Sequence, residues 1–385
     1  MARARKQSNE SDTVTSPIAH VASPPADSAR LPPELRHADE LAKLAADDPH
    51  PKPPGWKLSP RAVRRFILGD AKLGVERKFY GDDPLVDRAI VSLMGHQGLL
   101  LVGEPGTAKS LLSELLAAAI SGDSGLTVQG TAGTSEDHLR YSWNYALLLA
   151  EGPSRRALVP SPVYQAMQDG KLVRIEEITR CAPEVQDVLI SLLSDKQIVV
   201  PELGEGGRLL AKRGFNVIGT ANLRDRGVHE MSAALKRRFN FETVQPLTDR
   251  AFETTLVLER LDRELALAGE RVEVSRPVIE LLVTTFAELR GGATREGTPI
   301  KTPSAVMSTA EAVNVAYAAA LQAAHFGDGV LGPSELMQQL KGVVLKDDPD
   351  DVRLMKHYVD TVIRERGRTD ALWKRFHEAA RSLWG

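Results

Sequence analysis

Residues 103–110 read Gly-Glu-Pro-Gly-Thr-Ala-Lys-Ser, and no other stretch of the chain restricts its fold as strongly. The octet follows the short apolar run Leu99–Val102. It precedes residues 110–120, where Leu111, Leu112, Leu115 and Leu116 form a helical stripe. Strand, glycine-bearing loop and helix in that order make a phosphate loop. Such a loop aims backbone N–H groups at phosphate oxygens, and the helix N-terminus adds partial positive charge. Gly103, Glu104, Pro105, Gly106, Thr107, Ala108, Lys109, Ser110 and Leu111 are therefore the expected nucleotide-binding residues. Lys109 is placed to reach the β- and γ-phosphates, and Ser110 to offer its hydroxyl to Mg²⁺. Ala108 stands where the generic pattern has glycine. The expectation is that residue 108 stays out of the positive-φ region.

Two further strand ends carry chemistry. Leu172-Val173-Arg174-Ile175-Glu176-Glu177 is an apolar run ending in two carboxylates. At the C-terminal edge of a parallel sheet, this is where ligands sit. Glu176 is placed to hold Mg²⁺ through water. Glu177 is placed to orient or deprotonate a water attacking the γ-phosphate. Asn216–Asn222 is the next strand, and Asn222 at its end can bond both a phosphate oxygen and that water. Lys236, Arg237 and Arg238 then close a short helix. They suit the negative helix end, and Arg237 or Arg238 could also serve a neighbouring subunit as an arginine finger.

The periodicity around these motifs alternates between short apolar runs and helical stripes, which implies a parallel sheet covered on both faces. Helical pattern is expected over 61–94, 250–268, 277–289 and 304–324, and as two helices within 351–384. Ten of the 23 prolines lie in residues 1–60, and Trp56 is the one aromatic there. Residues 1–57 are therefore expected to be a disordered proline-rich tail, with a short helix at 33–46 compatible with the pattern. The expected division is 58–248 for the α/β core, 249–345 for a helical lid and 346–385 for a C-terminal helical extension.

Taken in order, these motifs resemble the AAA+ ATPases, and within them the MoxR-like, dynein-related branch with an insert in its second helix. The resemblance rests on Gly103–Ser110, Gly152-Pro153 through Gly170-Lys171, Ile175–Arg180, Pro183–Gln186, Gly219–Asn222 and Leu235–Phe239. It implies an AAA+ P-loop core, with a parallel sheet between helices, followed by an all-helical lid. Alanine before the loop lysine is common in this branch. Family members usually read Asp-Glu-Ile-Asn-Arg where this chain has Glu-Glu-Ile-Thr-Arg, and the longer first acid bears on metal binding. Two insertions fit the branch. In residues 134–171, Tyr141, Trp143 and Tyr145 alternate as in a strand or hairpin, and Ser161-Pro162 opens a helix that Gly170 closes. Residues 198–212 read as a β-hairpin. The lid arginine of the family has no counterpart in Lys301-Thr302-Pro303-Ser304-Ala305, where only Lys301 could substitute.

The resemblance implies ATP and Mg²⁺ as cofactors and a homo-oligomeric ring, a hexamer. It also implies a protein partner such as a von Willebrand factor A domain protein, which the ATPase remodels or activates. Two alternatives stay open: a nucleic-acid-directed motor of restriction or helicase type, and a slow nucleotide-gated scaffold. The 49 basic and 51 acidic residues leave a net charge of −2, which weighs against the nucleic-acid reading. Arg155, Arg156, Lys212 and Arg213 are its few candidate contacts. No apolar stretch approaches the ~20 residues of a membrane span. The lone Cys181 is expected to be a small packing residue in a reducing, cytoplasmic protein.

Overall fold

The computed structural model describes residues 30–384 except 223–227, 305–306 and 345–347. Its centre is a parallel sheet of five strands: β1 (Gly98–Val102), β2 (Thr127–Gln129), β3 (Leu172–Glu176), β4 (Asn216–Ala221) and β5 (Phe239–Thr243). Their order across the sheet is β2-β3-β4-β1-β5. Every residue of β1, β3 and β4 is buried, as expected of parallel strands covered on both faces. Register sets Val102 beside Ala221 and Ile175 beside Gly219, so the C-terminal ends of the three central strands meet at one edge.

Two apolar layers flank the sheet. One joins Leu99 and Leu101 to the helices Pro60–Leu68, Asp83–Met94 and Lys109–Ser121. The other joins Leu100, Val173 and Val217 to Pro162–Asp169 and Pro183–Asp195, and Cys181 packs within it. The helical pattern expected over 61–94 is two helices separated by a turn in which Asp70 and Val75 pair. Gly69 ends the first at φ 88°.

The expectation of a disordered tail through residue 57 fails for residues 30–57, and residues 1–29 lie outside the described residues. Leu44 and Trp56 are buried in the first apolar layer. Glu34 accepts bonds from Ser124, and Asp48 accepts from the Ser59 backbone and hydroxyl. Prolines lower the entropy lost on ordering, so a few buried anchors suffice to fix this segment.

Both insertions form as pairs of short strands. Tyr141–Trp143 pairs antiparallel with Leu158–Pro160, and Gln197–Val199 with Arg208–Leu210. Tyr145 departs from the expected alternation and begins the helix Tyr145–Glu151, because the Asn144 side chain caps it by accepting from Leu147 N. Ser161 caps Pro162–Asp169, and Gly170 closes it in the left-handed region.

Beyond the sheet the chain is helical: Arg250–Ala268, Arg276–Gly291, Thr309–Phe326, Pro333–Val344, Pro349–Tyr358 and Ala371–Trp384. The expected boundary near residue 345 does not separate two cores. Tyr358, Val359, Ile363, Trp373 and Phe376 share one apolar cluster with Leu261, Leu282 and Phe286. Arg366 donates to the fully buried Glu288 at 3.1 and 2.7 Å, tying the last helices to Arg276–Gly291. Among the described residues, no helix is long and apolar enough to cross a membrane.

Candidate functional site

The three central strand ends deliver their loops to one place. Gly103–Ser110 links Val102 to the Lys109–Ser121 helix, Glu177 follows Glu176 at the end of β3, and Asn222 follows Ala221 at the end of β4. A cavity of about 520 Å³ opens there, walled by the loop, Glu177, Asn222, Tyr80 and the lid helices. Sequence alone could order these segments. Only the strand register brings them to a common edge.

The phosphate loop is built as a cradle, with one departure from expectation. Ala108 adopts φ 65°, ψ 24°, so residue 108 does need the left-handed region. An alanine there costs about 1–2 kcal/mol relative to glycine. The fully buried Leu112 and Leu116 of the following helix anchor the loop against that cost. Gly106 has φ 75°, and a Cβ added there would lie 2.2 Å from Ser308 Cβ of the lid, so glycine is what lets the lid close over the loop. Lys109 Nζ donates to the carbonyls of Gly103 (3.1 Å) and Glu104 (2.7 Å). Burial pulls its ammonium below the usual lysine range, against the charges of Glu177, Glu176 and Glu104.

Glu176 sits beneath the loop with four donors. Ser113 Oγ and Arg174 Nη2 each donate to Oε1 at 2.7 Å; Ser110 Oγ and Thr220 Oγ1 each donate to Oε2 at 2.7 Å. Burial works to raise this carboxyl. The Arg174 charge and the bonds from Thr220, Ser110 and Ser113 outweigh it and hold the group below the usual carboxylate range. Glu177 is left-handed, at φ 54°, ψ 46°, with its N–H bonded to Thr220 Oγ1. This turn aims its side chain away from Glu176 and into the cavity. Asn222 Nδ2 donates to Glu177 Oε1 at 2.8 Å.

Hard oxygen donors such as the Ser110 hydroxyl and the Glu176 carboxylate suit Mg²⁺, which usually takes one or two protein oxygens beside phosphate and water. Asn222 Oδ1 is buried and has no hydrogen-bond partner among the described residues, as a group awaiting a ligand would be. The residues present thus fit a Mg²⁺-nucleotide.

Arg237 and Arg238 do not line this cavity. The Arg238 side chain is engaged by Ser194 Oγ (2.5 Å) and the Ala234 carbonyl (2.6 Å). Arg237 is exposed, and its side chain has no partner among the described residues. Lys301 is exposed and off the cavity, and Ala305 lies outside the described residues. The lid helix that borders the cavity starts at Ser308, Thr309 and Ala310, later than the expected 304. Ser308 and Glu311 cap one another there as a capping box, a signal readable in the sequence. Two arginines of the lid line the cavity and escaped the sequence reading. Arg290 is held by Glu253 and by the Met307 and Leu247 carbonyls, whereas Arg260 has no partner among the described residues. Nothing local marks either one, since each lies on an ordinary amphipathic helix. Arg174 did carry a signal, as a charge inside a buried apolar strand.

Residues 98–239 match the AAA domain of the dynein-related subfamily. Residues 251–383 match the YehL-like AAA+ ATPase C-terminal domain. The uncharacterised protein YehL of Escherichia coli (strain K12) is 50% identical over 355 residues, covering 92% of this chain and 97% of that protein. An uncharacterised protein of Staphylococcus aureus (strain USA300) is 31% identical over 145 residues, 37% of this chain and 54% of that one. Among solved structures, NtrX from Brucella abortus in complex with ADP is similar at a TM-score of 0.48 and 14% identity, covering 78% of this chain and 64% of that chain.

Proposed function

Because the chain belongs to the YehL-like AAA+ ATPases, with an AAA domain of the dynein-related subfamily, we propose that it binds and hydrolyses ATP with Mg²⁺ in a homo-oligomeric ring and uses the turnover to remodel a protein partner. The observation that carries the reading is the convergence of Lys109, Ser110, Glu176, Glu177 and Asn222 at one sheet edge. Lys109 leaves its loop carbonyls for the β- and γ-phosphates. Ser110 and Glu176 would hold Mg²⁺, which supplies neutralising charge at those phosphates. Asn222 fixes the Glu177 carboxylate, and Glu177 takes the proton of the attacking water as it adds to the γ-phosphate.

The ring reading is supported by Arg237 rather than by a shortage of cations within one subunit. Of the chain's own arginines at the cavity, Arg290 is committed to Glu253 while Arg260 has no partner among the described residues, and the lid helix N-terminus offers Ser308, Thr309 and Ala310. Arg237, exposed and uncommitted, is the finger offered to a neighbour, and a hexamer is the expected ring. A von Willebrand factor A domain protein is the expected partner. Of the four basic residues considered for nucleic acid, Arg155 is bound to the Gly206 carbonyl and Arg156 to Glu151, while Lys212 and Arg213 are exposed; four such residues are few for a nucleic-acid channel. Slow turnover remains a second reading, favoured by the cation-free start of the bordering lid helix.

The test is phosphate release by the full chain, alone and with Lys109→Ala and Arg237→Ala variants. Each variant alone should be inactive, and their mixture should regain activity if the finger acts between subunits. A wild-type chain that binds no ATP and releases no phosphate at any protein concentration would overturn the proposal.

A further inference from the structure

Arg174 is an arginine inside a fully buried strand, two residues before Glu176. Side chains two apart on a strand share a face. Here that face meets the Lys109–Ser121 helix, which carries Ser110 and Ser113. Arg174 is 8% exposed and Glu176 6%. All three guanidinium nitrogens are committed. Nε donates to Ser113 Oγ at 3.0 Å, Nη1 to the Ser124 carbonyl at 3.0 Å and Thr127 Oγ1 at 3.3 Å, and Nη2 to Glu176 Oε1 at 2.7 Å. Three elements therefore fix the fork, and the fork fixes one carboxylate oxygen.

We propose that Arg174 is a positioning residue for Glu176: it draws the carboxylate back along the strand by Oε1, so that this longer acid presents Oε2 beside the Ser110 hydroxyl where Mg²⁺ would be held. The inference rests on the reading of the nucleotide site given above. A glutamate reaches about 1.5 Å beyond an aspartate from the same backbone position. Unrestrained, its carboxylate would extend toward Lys109, the other cation near it. Held by Arg174 and Ser113 through Oε1, it presents only Oε2, beneath the Ser110 hydroxyl. A purely structural ion pair would predict something else. Replacing Arg174 would then lower stability alone, and the length of residue 176 would matter independently of it.

The two accounts separate in a double-mutant cycle. A fluorescent ATP analogue is titrated into the full chain with Mg²⁺ and with EDTA, and the ratio of the two affinities reports the metal's contribution. Arg174→Met is expected to cut that ratio at least tenfold and to leave the EDTA affinity within threefold of wild type. Glu176→Asp alone should cut it too, because Arg174 holds the shorter carboxylate out of reach. The double variant should recover at least threefold over either single one. Arg174→Lys keeps the charge and loses the fork, so it carries the same test should the methionine variant fail to fold. A wild-type ratio in the Arg174 variants, or a double variant no better than the worse single one, overturns the proposal while leaving the nucleotide site standing. A wild-type chain that binds no nucleotide removes both.

Discussion

Glu177→Gln should abolish hydrolysis while leaving the site built and loaded. The geometry makes this a clean perturbation. Asn222 Nδ2 donates to Glu177 Oε1 at 2.8 Å, and a glutamine carbonyl oxygen accepts that bond equally well. Asn222 Oδ1 is buried and has no hydrogen-bond partner among the described residues, so it is free to accept from an amide. The substitution gives up the partly exposed 3.9 Å ion pair of Arg180 Nε with Glu177 Oε2, and glutamine tolerates the left-handed backbone as poorly or as well as glutamate. Stability should stay within about 1 kcal/mol, as expected where only a long, partly exposed ion pair is lost. What is lost is the base. A positioned general base contributes about 10²–10⁴ in rate, so hydrolysis should fall by that factor, about 3–5 kcal/mol of barrier. Glu177→Gly separates the two roles of the residue. It removes the base as well, and it also relieves the strain of φ 54°, ψ 46°, which should raise stability by about 1 kcal/mol. The assays are phosphate release, equilibrium binding of a fluorescent ATP analogue, and urea denaturation of each variant. Hydrolysis by Glu177→Gln within threefold of wild type, with binding intact, would refute the assignment of the base.

Three further outcomes are expected. Gly106→Ala would place a Cβ 2.2 Å from Ser308 Cβ in a loop already at φ 75°, so it should force the lid from the loop and weaken ATP binding at least tenfold, with Ser308→Gly restoring part of the loss in a binding titration. Arg366→Met would leave the fully buried Glu288 with the Tyr358 hydroxyl, the Arg295 backbone N–H and the distant Arg250 but without its close counter-charge, and should cost about 3–5 kcal/mol in urea denaturation, a value near zero counting against the ion pair as the tie of the last helices. His37 is held at about 4, first by burial and then by the Lys78 charge. Its folded value is thus depressed, so the stability it contributes is complete above about pH 6.5 and is lost as pH falls toward 4. At pH 5 the loss should be about 1–2 kcal/mol after allowance for partial exposure. His37→Gln should shrink the difference in denaturation midpoint between pH 7 and pH 5, and an unchanged difference would exclude His37 as its source.

The candidate site was legible because its parts are local. A phosphate loop announces itself by the residues on either side of it, and Glu176, Glu177 and Asn222 each end an apolar strand of readable period. The alternation of strand and helix, followed by helices alone, fixes a parallel sheet and a helical lid, since neither pattern can bury its apolar face in another way. Ser308 with Glu311 was equally local and marks the true start of the lid helix at the cavity, at Thr309 rather than Ser304.

What remained was decided by contacts between residues far apart in the chain. The composition of residues 30–57 describes a segment unable to build a core, and it builds none. It borrows one, inserting Leu44 and Trp56 into a layer supplied by three other helices. Ala108 takes a left-handed conformation that its own side chain disfavours, because the helix after it is anchored in that same layer. The last helices join the lid core through Arg366 and Glu288, two charges whose pairing no periodicity records. Arg174 shows the division most directly. Its sequence position reveals a charge in a strand that should be apolar. Only the sheet register and the helix laid across it supply the carboxylate, the serine and the carbonyl that turn that charge into a clamp on Glu176.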